Sequence, residues 1–137
     1  MSVVLRISGK HLDPDLVVGR TSLPVIHVFR RGEPRLPRSK SSGSKHKVSG
    51  LNLQITPKDG LQGRADKLVR RAAKVISKHR QELRRIARMR GVESAVLDIG
   101  VAKLDVAAQF EHIPAAFLLE LGKMGIDLEI SIYHGFA

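Results

Sequence analysis

Ala65-Asp66-Lys67-Leu68-Val69-Arg70-Arg71-Ala72-Ala73-Lys74-Val75-Ile76-Ser77-Lys78-His79-Arg80-Gln81-Glu82-Leu83-Arg84-Arg85-Ile86-Ala87 is the stretch whose periodicity decides the architecture. At about 100° per residue, Ala65, Leu68, Val69, Ala72, Val75, Ile76, Leu83, Ile86 and Ala87 fall within one arc of roughly 120°. Arg64, Lys67, Arg71, Lys74, Lys78, Arg85 and Arg88 fall on the opposite side. The spacing predicts an amphipathic helix from about Leu61 to Met89, its phase carried through His79, and it admits a break there without demanding one. Gly91 suits the C-terminal stop, and the late arginines complement the helix dipole.

A helix with one apolar face needs a partner layer, and the flanking sequence supplies strands. Ser2 to Ser8, rich in β-branched residues and ended by Gly9, reads as a first strand. Asp13 before Pro14 caps a short helix that stops by Gly19. Pro24 to Phe29 reads as a second strand, with Val25, His27 and Phe29 on one face and Ile26 and Val28 on the other. Leu51 to Ile55 alternates strictly and predicts a third. Beyond the long helix, Ser94 to Val101 reads as a central strand, followed by a weaker apolar stretch from Val106 to Phe110. A helix entered through Pro114 ends near Gly122 or Gly125. Ile126 to Tyr133 closes the chain as a half-exposed strand, with Ile126, Leu128, Ile130 and Ile132 inward.

The pattern predicts an α+β fold. It is a two-layer sandwich in which a mostly antiparallel sheet carries one long amphipathic helix and shorter helices on one face. The 137 residues suit a single domain, residues 1–137, with a basic flexible loop at about 30–50 rich in Ser, Gly and Pro. With no Cys, disulfides, thiol nucleophiles and cysteine metal sites are absent together. Arg6 interrupts the N-terminal apolar run, and no segment reaches the ~18 apolar residues of a membrane span. The expected setting is the cytoplasm, without membrane insertion.

The net charge of +11 is unevenly placed. Seven Lys/Arg face only Glu33 between Arg30 and Lys47. Eleven face only Asp66 and Glu82 between Arg64 and Arg90, which leaves the rest of the chain mildly acidic. Such regional charge attracts anions over a Debye length or more.

Candidate chemistry is sparse. His79 lies in the apolar arc and reads as a hydrogen-bonded core or interface histidine, while His11, His46 and His112 fall in turns or loops. Glu111 and His112 are adjacent, so they do not share a helix face as metal ligands four residues apart do. No Ser sits in a Gly-x-Ser-x-Gly elbow, and Gly43-Ser44-Lys45 lacks the upstream glycine of a phosphate loop. Asp127 and Glu129 share a strand face and read as the polar side of an edge strand. No catalytic residue, metal ligand or cofactor is expected. Phe110, Phe117 and Tyr133 read as packing residues, so a base-stacking platform is not expected.

Three stretches together resemble a bacterial family catalogued as domain of unknown function 4279. They are Leu5-Arg6-Ile7-Ser8-Gly9 with Leu12-Asp13-Pro14, then Arg31-Gly32-Glu33-Pro34-Arg35 leading to Ser49-Gly50-Leu51, and lastly Gly125-Ile126-Asp127-Leu128-Glu129-Ile130-Ser131-Ile132-Tyr133. The resemblance spans nearly the whole chain and implies no assigned activity. Where members of that family carry a Trp near the basic turn, this chain has Phe29. By analogy of class, small bacterial proteins of this sort include immunity proteins that neutralise a toxin.

The function expected from these residues is non-enzymatic protein binding, of which toxin neutralisation is one form. Arg30, Arg31, Arg35, Arg64, Lys67, Arg71, Lys74, Lys78, Arg85 and Arg88 would face an acidic protein partner. The rival is sequence-tolerant nucleic-acid binding through the same residues. Exposed strand edges also admit a homodimer.

Overall fold

The computed structural model describes residues 2–35, 44–57 and 65–134. Five strands, β1 (Val3–Gly9), β2 (Val25–Phe29), β3 (Ser49–Gln54), β4 (Ser94–Ala102) and β5 (Asp127–Tyr133), form one sheet in the order β2-β3-β1-β4-β5. Every neighbouring pair is antiparallel except β4 and β5, which run parallel in register from Val96 opposite Asp127 to Ala102 opposite Tyr133. The parallel pair requires a crossover, and α4 (Ala115–Met124) lies in it. The other helices are α1 (Pro14–Val18), α2 (Ala65–Lys78) and α3 (Arg80–Ala87). The architecture is the expected α+β sandwich.

Alternation in the strands makes the sheet two-sided. Val3, Leu5 and Ile7 of β1, Leu51 and Leu53 of β3, and Leu97 and Ile99 of β4 are buried. Their neighbours Val4, Arg6, Asn52, Gln54, Val96 and Asp98 are only half-buried on the opposite face. The covering layer contributes Leu68, Ala72, Ile76, Leu83, Ile86, Phe117 and Leu121 to the same core. Each large apolar side chain buried in this way contributes roughly 1.5–3 kcal/mol.

The amphipathic stretch forms two helical segments that meet at His79, where φ is −104° and ψ is 20°. Backbone hydrogen bonds pass through the junction, from His79 N to Val75 O and from Leu83 N to His79 O, both 2.9 Å. The apolar face therefore keeps its direction. Ser22 is fastened to the junction, donating both its backbone N–H and its hydroxyl to Glu82 Oε1 at 2.7 Å. The expected start of this helix at Leu61 lies outside the described residues.

Two local readings are corrected. A register shift between Val25 and His27 divides β2, so Val25 pairs with buried Leu53 while His27 and Phe29 pair with Asn52 and Gly50 on the other face. Val25 thus does not share a face with His27 and Phe29. The two ends of the 30–50 loop are paired to each other. Gly32 N donates to His46 O and His46 N to Glu33 O, each at 2.9 Å, and Pro34 bridges Lys45; the loop's centre, residues 36–43, lies outside the described residues. The turn that starts this pairing has Gly32 at φ +89°, a backbone region that favours glycine. Finally, Phe110 is 88% exposed and Tyr133 47% exposed, so of the three aromatics expected to pack only Phe117 is buried.

Candidate functional site

Lys67, Arg71, Lys74 and Lys78 recur along α2 at helical spacing and are all exposed, and Arg85 and Arg88 are exposed at α3 and just beyond it. The sheet-facing side of both helices is taken up by the core, so these side chains belong to the outer face of the helical layer. Neither helix carries an aromatic residue. The row is a field of positive charge without a stacking surface.

Beside it, α3 and α4 enclose a shallow groove of about 320 Å³, bordered by Arg80, Arg84, Glu120 and Lys123 and floored by Leu119 and Met124. Arg80 Nε donates to Glu120 Oε1 at 2.7 Å and fastens one helix to the other. Leu119 is 60% exposed and its neighbour Leu118 44% exposed. An apolar floor inside a cationic rim is thus present next to the α2 row. Reading the sequence for charge alone missed this groove. Its signal was the run Phe117-Leu118-Leu119-Glu120-Leu121. A helix lying on a sheet buries one face, and α4 buries Phe117, Leu121 and Met124, which leaves the other leucines outside.

The remaining residues expected at the binding face do not gather there. Arg30 donates to Asp15 Oδ1 at 2.9 Å and lies 3.7 Å from Glu33, and its pKa is raised above the ordinary arginine value, chiefly by the hydrogen bond to Asp15. Its charge is engaged by carboxylates of the chain itself. Arg31 is exposed, and its backbone N–H donates to Ser49 Oγ at 2.9 Å. Arg35 borders a groove on the uncovered face of the sheet, with Phe29, His46 and Lys47. That face is the opposite side of the sandwich from the α2 row. Arg64 lies outside the described residues.

His79 Nδ1 is 3.3 Å from Ser22 Oγ and 3.5 Å from Glu82 Oε2. A hydrolytic relay needs the serine and the carboxylate on different ring nitrogens. Here both meet Nδ1, and the hydroxyl donates to Glu82 instead; the cluster joins Ser22 to the α2–α3 junction. Among the described residues no group of three or more His, Asp or Glu side chains is placed to hold a metal ion, and no helix is long and apolar enough to cross a membrane.

No family model, curated protein or solved structure matches the chain.

Proposed function

We propose that this protein is a non-enzymatic binding module for an acidic, amphipathic segment of a protein partner. Apolar side chains of the partner seat over Leu119, and its carboxylates face Arg84, Lys123 and the α2 row. The observation that carries the reading is the exposure of Leu119 in an apolar groove with a cationic rim. A phosphate backbone is held by charge and uses no apolar floor. A protein interface has this anatomy, in which a central apolar contact supplies affinity and charges at the rim supply orientation and rate. A second copy of a chain whose net charge is +11 is disfavoured as the occupant by like-charge repulsion. Neutralisation of a toxin is one form this binding takes, and the row on α2 taken without the groove equally suits nucleic acid.

A photo-crosslinking residue at position 119, introduced in the native host, tests the reading. The expected product is an adduct with an acidic protein. Once purified, that protein binds the unmodified chain in a stoichiometric complex, weakened about tenfold or more by Lys74→Glu with Lys78→Glu and by Leu119→Asp. Adducts with nucleic acid, or a complex indifferent to both variants, would overturn it.

A further inference from the structure

The uncovered face of the sheet carries a second and independent arrangement. Strand pairing sets His27 opposite Asn52 and Phe29 opposite Gly50, so both rings rise from this face beside the edge of the sheet. Phe29 lies across the β3 backbone, where a Cβ on Gly50 would come within 2.5 Å of its Cζ. His46 stacks on Phe29 with centroids 4.6 Å apart and an interplanar angle of 24°, and His27 is 5.5 Å away at 31°. His46 is held there by its two backbone hydrogen bonds to Gly32 and Glu33. The rings are therefore positioned by the backbone before any ligand arrives.

These rings border a groove of about 520 Å³ that Arg6, Arg35, Lys47 and Asn52 also line. Arg6 is fixed by an ion pair with Glu129 at 2.8 Å. Covering the backbone at Gly50 explains one flat ring. It does not explain three rings converging with Arg35 and Lys47 on one concavity, whose size is that of small-ligand sites. Flat rings next to paired cations suit a ligand that is planar at one end and anionic at the other.

We propose that this groove binds a nucleotide unit, its base packed against the His27, Phe29 and His46 rings and its phosphate held by Arg35 and Lys47. A free mononucleotide and an unpaired nucleotide of a single strand share this chemistry. Base stacking on an aromatic side chain is sequence-tolerant, so the site recognises the unit before it recognises the base.

Proton–nitrogen correlation spectra of the full chain, titrated with adenosine monophosphate, adenosine, ribose 5-phosphate and a short oligothymidylate, test this. Adenosine monophosphate is expected to shift the amides of Phe29, His46 and Lys47, and to bind about tenfold or more tighter than adenosine or ribose 5-phosphate. Phe29→Leu, and separately Arg35→Ala with Lys47→Ala, should each weaken it about tenfold. The arginine and lysine variants alter exposed side chains and keep the test valid should Phe29→Leu disturb folding. Oligothymidylate displacing the mononucleotide from the same amides identifies a strand as the source; failure to displace it identifies the free nucleotide. Shifts confined to α2 and α3, no shifts at millimolar concentrations of either nucleotide probe, or equal affinity for adenosine monophosphate and ribose 5-phosphate would overturn the proposal.

Discussion

Gly50 lies where β3 passes beneath the ring of Phe29, and a methyl group there would sit 2.4 Å from Ile7 O and 2.5 Å from Phe29 Cζ. The first contact is with the backbone of the neighbouring strand, which cannot swing aside. Gly50→Ala is expected to cost about 1–3 kcal/mol or more in urea unfolding. Gly122, within α4, meets nothing within 4 Å of an added Cβ. Gly122→Ala should therefore stabilise by about 0.5–1 kcal/mol through helix propensity alone; a loss of stability there would contradict the described packing of α4. Asp13 accepts from Asp15 N at 3.1 Å as the cap of α1, and Asp13→Ala is expected to cost about 1 kcal/mol. That cap was legible because Asp-Pro is a local signal. The facing of Val25 was not legible, since the register shift in β2 arises from its pairing with β3 and leaves no mark in five residues of sequence.

The amphipathic stretch was legible because burial follows its period across both segments. Its division at His79 was admitted by the periodicity but not fixed by it. The phase survives the junction, and the groups that hold it come from Ser22, 57 residues away in sequence. Glu82 accepts twice from Ser22. Glu82→Ala leaves those donors to water, and a loss of about 1–2 kcal/mol is expected, below the full range because Ser22 is exposed. Backbone amide exchange should speed at Ser22 and near His79 in that variant; unchanged exchange would show that the junction does not depend on the clamp. On α4, Leu118→Gln with Leu119→Gln should leave the unfolding free energy within about 0.5 kcal/mol, as substitutions at exposed sites do. A larger loss would mean that these leucines belong to the chain's own core and not to a docking surface.

Across the whole molecule, the regional concentration of charge was plain in the sequence, but its distribution between surfaces was not. Which layer a cation joins depends on strand order and on the pairing of Arg31–Pro34 with Lys45–Ser49, and neither is encoded within one helix or loop. The structure accordingly puts Arg35 on the sheet face and Lys67, Arg71, Lys74 and Lys78 on the helical face. With a net charge of +11, any acidic ligand should associate faster at low salt, so a salt response alone does not identify the surface used. The discriminating feature is the apolar floor at Leu119.

The most direct test is a titration, at one fixed salt concentration, with two peptides of equal negative charge. One is an acidic helix carrying leucines along one face, and in the other those leucines are glutamine. The leucine peptide is expected to bind about tenfold or more tighter, and Leu119→Asp to remove the difference. Equal affinity for the two peptides, or a difference that survives Leu119→Asp, would contradict it.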